Sequence, residues 1–170
     1  MIQDPDAGLV QEAQNGDKAA FGKLVNQHYE MVYAIAYGIL NNRESALDVA
    51  QEVFLKTFRT LENFEGKSKF KTWLHRVAVN AAIDQTRKKR PTESIDINPE
   101  DEETEGQMPV IVKDEGPGPR DRAAQAELKG IFAKGLTQLS AEHRAVLVLR
   151  EWQGLSYEEI AETLHLELGT

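Results

Sequence analysis

The chain of 170 residues contains no cysteine, which excludes disulfides, thiolate metal sites and thiol nucleophiles. It has no run of about 18 apolar residues, so the sequence predicts no membrane insertion. Its acidic and polar first residues lack the basic and apolar segments of a secretory signal. Together these absences predict a cytoplasmic protein.

Signatures of catalysis are also missing. The four histidines are scattered, with no H-E-x-x-H, no G-x-S-x-G and no phosphate-binding loop around them. His28 lies on an apolar helical face and is best interpreted as a packed core residue. The sequence therefore predicts that the protein is not an enzyme and has no catalytic residue, no metal site and no cofactor.

Alternation of apolar and polar residues with a period of two is absent, and helical periodicity replaces it, so the predicted class is all-α. Asp17 can cap a first long helix, which Asn41 and Asn42 interrupt. Further helices are predicted over about 44–61, 70–89, 123–139 and 141–152, and from a capping box at Ser156 through Leu164. Helical spacing places Phe54, Phe58 and Leu61 on the apolar face of the helix 44–61.

The excess negative charge of the chain lies in one segment. The net charge is -8, and residues 92–119 alone carry nine acids against one lysine. Five of the six prolines lie in 91–119, and large apolar side chains are few. Such a composition cannot bury enough surface to fold. We therefore predict two small helical domains, 1–91 and 123–170, joined by a flexible acidic linker over 92–122.

A basic block interrupts this acidic chain. Residues 67–90 hold eight Lys or Arg and one acid, with two aromatics, Phe70 and Trp73, among them. Lysines that open a helix oppose its dipole, so an anionic partner would explain them. At the helix end, Arg87–Arg90 is also consistent with simple favourable dipole interaction, and Trp73 is better explained as a core residue than as a base-stacking platform.

Two weaker patterns have ordinary explanations as well. Asp48, Gln51, Glu52 and Leu55 share one face of the second predicted helix, which suits either plain solvation or a partner helix. The segment LSYEEIAETL has the spacing of the first half of a helix-turn-helix, although ordinary helix corners share that spacing.

Taken in order, three stretches resemble the bacterial sigma-70 family, and within it the extracytoplasmic-function (ECF) sigma factors. They are DVAQEVFLKTF, FEGKSKFKTWLHRVAVNAAIDQTRKKRP and LTQLSAEHRAVLVLREWQGLSYEEIAETL. The resemblance implies that 1–91 is sigma region 2, which binds core RNA polymerase and recognises and melts the -10 promoter element. It implies that 123–170 is region 4, which contacts the polymerase β flap and the -35 element.

The resemblance also implies residue roles. The group matching the contact with the polymerase β′ clamp helices is Asp48, Gln51, Glu52, Phe54 and Leu55. The group expected to bind promoter DNA, by a base-capturing loop and the helix after it, is Phe64, Lys67, Ser68, Lys69, Lys71, Arg76, Asn80, Arg87 and Lys88. An anti-sigma factor is a further implied partner.

One departure from the family pattern concerns the end of the sequence. The resemblance places a basic recognition helix after the turn that ends at Thr170, so we expect a chain truncated at that helix. Two hypotheses follow: a promoter-specificity subunit of RNA polymerase, or a helical interaction protein that binds polymerase or an anti-sigma factor without starting transcription.

Overall fold

A computed structural model describes residues 4–89, 135 and 138–166, and the regular structure within these ranges is entirely helical. The predicted all-α class is thereby confirmed. The helices are α1 (Ala7–Gln14), α2 (Lys18–Leu40), α3 (Arg43–Thr60), α4 (Phe70–Lys89), α5 (Ala141–Leu147) and α6 (Tyr157–Leu164). A 3-10 turn, Leu61–Asn63, follows α3, and a π-helical turn, Val148–Trp152, follows α5.

Local capping sets the bounds of the long helices. The Asp17 carboxylate accepts from the Ala19 and Ala20 amides and opens α2. Asn41 takes a left-handed backbone with φ of 49° and ends α2, and Asn42 caps α3 through the Ser45 amide at 2.8 Å. The predicted start and end of α2 are confirmed, as are the bounds of α4.

In the N-terminal half, described over 4–89, the core is built around α2. Its residues Leu24, Val32, Ile35 and Ile39 are fully buried, because helices α1, α3 and α4 all pack against it. Helix α1 is absent from the sequence prediction. It is short, and only Val10 of its apolar residues is buried, so its periodicity is too weak to be recognised.

In the C-terminal half, described over 138–166, Ser140 caps α5, and its hydroxyl accepts from the His143 amide. The predicted helix 141–152 continues as expected, except that its last part is a π-turn in which the Gln153 amide donates to the Val148 carbonyl. Gly154, with φ of 66°, ends it. The capping box at Ser156 is confirmed in full, since both of its reciprocal hydrogen bonds with Glu159 are present.

These C-terminal helices pack directly on α2 and α4. The contact is close because Gly38 has no side chain. A Cβ there would lie 2.5 Å from the Trp152 ring and 2.6 Å from a Val148 methyl. A glycine near the end of α2 is thus what allows the π-turn to approach the α2 backbone.

Two other expectations concern residues outside the described ranges. The acidic linker 92–122 lies wholly outside them, and the predicted helix 123–139 lies almost wholly outside. None of the helices within the described ranges is sufficiently long and apolar to cross a membrane.

Two glycines of α2 provide a matched test of the contact between the halves. Gly38→Ala should lower the free energy of unfolding by about 1–3 kcal/mol, because the added methyl overpacks the Trp152 contact. Gly22→Ala meets nothing within 4 Å and should leave stability unchanged or raise it by about 0.5–1 kcal/mol. Urea denaturation measures both, and acrylamide quenching of Trp152 in a Trp73→Phe background reports its exposure. If Gly38→Ala changes neither the free energy of unfolding nor the quenching of Trp152, the close packing of Trp152 on Gly38 is contradicted.

Candidate nucleic-acid interface

The loop between α3 and α4, residues 64–69, borders a cluster of aromatic side chains. Phe70, the first residue of α4, is fully buried. The rings of Phe64 and Trp73 pack on it with centroid separations of 6.0 and 5.9 Å. At the loop tip Gly66 has φ of 68°, a conformation that suits glycine. Phe64 and Trp73 are therefore parts of this aromatic cluster, and both remain partly exposed at its edge.

An open cleft of about 260 Å³ separates this loop from helix α1. Its lining combines polar side chains and loop backbone with one aromatic residue: Asp4, Ala7, Val10, Gln11, Gln14, Phe64, Glu65, Gly66 and Ser68. Unpaired bases are bound by proteins through aromatic faces together with hydrogen bonds to base edges. The composition of the cleft suits a ligand of that kind.

Three exposed lysines lie in the loop or just after it. Lys67 lies beside Glu65, and Lys69 and Lys71 flank the start of α4. The hydroxyl of Ser68 donates to the Lys69 carbonyl at 3.4 Å. The loop thus carries cationic groups near the cleft, as binding of a phosphate backbone requires.

Helix α4 carries further basic and polar residues. Arg76, Asn80 and Arg87 are four and seven residues apart in turn, so they lie on one face of the helix. Asn80 and Arg87 are exposed, and Lys88 is exposed beside them. The structure therefore brings these four predicted DNA-binding residues together along α4.

The C-terminal helices contact part of that face. The Arg76 guanidinium donates to the Glu162 carbonyl of α6 at 3.0 Å. Arg87 donates to the Glu142 carboxylate of α5 at 3.4 Å and also lies near Asp84. Two of the cationic groups on α4 are thus engaged by the C-terminal half in this arrangement.

A second candidate surface lies on α3, away from the loop. Asp48, Gln51 and Glu52 are exposed there, and Leu55 is 59% exposed among them. This face of α3 therefore combines an exposed apolar side chain with acidic and amide groups.

The structure also redistributes the apolar residues of α3. Phe54 is buried and stacks on Tyr29 with a centroid separation of 6.1 Å, so it supports the helix from beneath. Phe58, which the sequence pattern placed on the buried face, is half exposed, and Leu47 is exposed as well. The i, i+8, i+11 spacing of Leu47, Leu55 and Phe58 is the signal that could have identified this exposed stripe.

Beneath these surfaces, His75 of α4 is buried, and its Nε2 has no hydrogen-bond partner within the described part of the chain. Burial, with Lys71 and His28 as further causes, lowers the pKa of His75 to about 4. His28 itself is buried as predicted, paired with Asp6. The residues that the structure describes contain no group of three His, Cys, Asp or Glu that could hold a metal ion.

Known protein families match both the N-terminal and the C-terminal part of the chain. The family model for sigma-70 region 2 matches residues 24–92, and that for sigma-70 region 4 matches residues 130–170. The RNA polymerase sigma-H factor of Pseudomonas aeruginosa is 37% identical over 173 aligned positions, which cover 100% of this chain and 88% of the relative. The chain belongs to the sigma-70 family.

Within that family the chain is an ECF sigma factor. The ECF RNA polymerase sigma factor SigW of Bacillus subtilis is 33% identical, with 95% of this chain and 86% of the relative covered. A sigma factor contacts both promoter DNA and RNA polymerase. The loop with α4 and the exposed face of α3 are therefore the candidate surfaces for these two contacts. The predicted family is thereby confirmed.

Two solved structures are similar to this sigma factor. CnrH, in complex with the cytosolic domain of CnrY, matches with a TM-score of 0.65 and 26% identity, over 96% of this chain and 85% of CnrH. An engineered region 2 of sigmaE in complex with GTAAAA matches with a TM-score of 0.50 and 33% identity. That match covers 56% of this chain and 99% of the engineered region.

The buried His75 predicts an acid-sensitive fold. Its folded pKa of about 4 lies below the ordinary value of 6.5, so the unfolded chain binds its proton first. Stability should therefore fall as the pH drops from 6.5 towards 4, by about 3 kcal/mol from this group. Urea denaturation across this range should show a shallower loss in His75→Leu than in the wild type. Parallel curves would contradict the buried neutral histidine.

Proposed function

We propose that this sigma factor directs RNA polymerase to promoters by holding the single-stranded -10 element between the α3–α4 loop and helix α4. Three features support the proposal: the cleft beside Phe64, the exposed lysines of the loop, and the row of Arg76, Asn80 and Arg87 on α4. The similar region of sigmaE was solved in complex with GTAAAA, which supports the same ligand class here.

In this proposal the loop and the helix have different tasks. The cleft takes an unstacked base, because Phe64 offers an aromatic surface and the polar lining offers hydrogen bonds. Lys67, Lys69 and Lys71 contact the phosphates and so position the strand without reading its sequence. Asn80, exposed beside the arginines, is a candidate for hydrogen bonding to a base edge, and Arg87 and Lys88 extend the phosphate contacts.

The α3 surface is proposed to bind the β′ clamp helices of core polymerase. Leu55, with Leu47 and Phe58 on the same stripe, supplies apolar area, while Asp48, Gln51 and Glu52 supply polar contacts around it. Phe54 contributes indirectly, since its packing on Tyr29 fixes the position of the helix. This surface and the -10 surface are on different helices, so both partners can bind at once.

The remaining partners follow from the family. The C-terminal helices are proposed to contact the β flap and to take part in -35 recognition, with α6 as the first helix of a helix-turn-helix. An anti-sigma factor is a further proposed partner, because the similar CnrH was solved with the cytosolic domain of CnrY. The protein acts in the cytoplasm and carries out no catalysis of its own, because the polymerase performs the chemistry.

A second candidate function is a non-initiating protein that binds polymerase or an anti-sigma factor. The observation favouring it is that Arg76 and Arg87 contact the C-terminal helices. For the first function, these contacts must be released when DNA binds along α4. Their release also separates the C-terminal helices from α4, so contacts with polymerase and DNA must replace both the hydrogen bonds and part of this packing.

Lysines of the loop test the proposed DNA contact. Lys67→Gln with Lys69→Gln should weaken binding of holoenzyme to a promoter fork with a single-stranded -10 region. It should also reduce the slope of log affinity against log salt by about 0.7 for each lost phosphate contact. The control is Lys18→Gln with Lys23→Gln on exposed positions of α2, which should leave the slope unchanged. Identical slopes for both double variants would remove the loop lysines from the interface.

A further inference from the structure

Helix α4 lacks a local N-terminal cap. Lys69, which precedes it, has no acceptor in its side chain, and the first turn of α4 contains no acid. The acceptor comes instead from the residues before α1: Asp4 Oδ2 accepts from the Phe70 amide at 2.7 Å. A carboxylate at this point also offsets the unfavourable interaction of Lys69 and Lys71 with the helix dipole.

The first residues hold the loop at a second point. The side-chain amide of Gln14 donates to the Leu61 carbonyl at 2.9 Å and to the Phe64 carbonyl at 2.9 Å. Both amide hydrogens are therefore used on the backbone that enters the loop. Residues 4 and 14 thus fix the two ends of the loop, one at Phe64 and the other at Phe70.

The segment that supplies these contacts is itself anchored. Asp6 Oδ2 lies 2.9 Å from His28 Nε2 of α2, and each side chain is only 10% exposed. The Asp6 amide also donates to Asp4 Oδ1 at 3.0 Å, which orients the Asp4 carboxylate. Helix α1 is thereby held against α2 while its other side forms one wall of the cleft.

We infer that residues 4–14 position the -10 binding loop, with Asp4 and Gln14 as positioning residues that hold its two ends at the spacing that a captured base requires. This inference rests on the proposed function. It assigns to the N-terminal segment, for which the sequence patterns suggested no role, an effect on single-stranded DNA binding that acts through the position of the loop.

The test uses the full chain bound to core polymerase. Holoenzyme first selects a preferred sequence from a random pool of single-stranded DNA, and the selected oligonucleotide serves as the probe. Asp4→Ala should bind this probe about tenfold more weakly than the wild type, since losing a cap is an effect of about that size. Asp4→Asn keeps one acceptor oxygen in place of two, so it can bond the Phe70 amide or the Asp6 amide but not both, and it should restore only part of the affinity. Gln14→Met, which has no donor, should also weaken binding.

Matched controls separate positioning from general stability. Asp17→Ala removes the cap of α2, and Gln27→Met alters an exposed position of the same helix. Both should leave probe affinity unchanged. Hydrogen exchange at the Phe70 amide gives an independent readout: it should accelerate in Asp4→Ala and not in Asp17→Ala. Affinity for core polymerase should be the same in all five variants.

The outcomes are distinct. If Asp4→Ala and Gln14→Met bind the probe as tightly as their controls, the positioning role is overturned while the proposed function stands. If wild-type holoenzyme selects no sequence from the pool, the proposed function is overturned, and this inference with it. If Asp17→Ala weakens probe binding as much as Asp4→Ala does, the inference is also overturned, because general destabilisation would then explain both losses.

Discussion

The start of helix α4 is the point on which the rest of this structure depends. Phe70 is fully buried there, its ring lies 5.6 Å from that of His28, and its amide is bonded to Asp4. Helix α2, the N-terminal segment and the α3–α4 loop all meet at this one residue. Since α4 carries the arginines and the loop carries the lysines, both parts of the proposed DNA surface take their position from it.

Much of this arrangement could be predicted from the sequence because its signals are local. Asp17 and Asn41 mark the ends of α2, and Ser156 with Glu159 forms a capping box, each through residues within four positions of one another. The basic block likewise contains the candidate DNA-binding residues in one continuous stretch. Local chemistry of this kind is visible without a three-dimensional structure.

What could not be predicted depends on residues far apart in the chain. The Asp4 bond to Phe70 joins positions 66 residues apart, and the fit of Trp152 over Gly38 depends on which helix packs on which. Phe58 was assigned to the core because helical spacing alone cannot say where a neighbouring helix ends, whereas the structure leaves it half exposed. The contacts of Arg76 and Arg87 with the C-terminal half belong to the same class.

The central claim is that the chain opens promoter DNA by holding the -10 strand, and strand opening measures it most directly. Core polymerase with this chain would be incubated with a duplex promoter selected by the holoenzyme, and unpaired thymines would be detected by permanganate. The account predicts reactive thymines in the -10 region that require the chain. Polymerase that binds the chain yet leaves every thymine unreactive would contradict it and favour the non-initiating function.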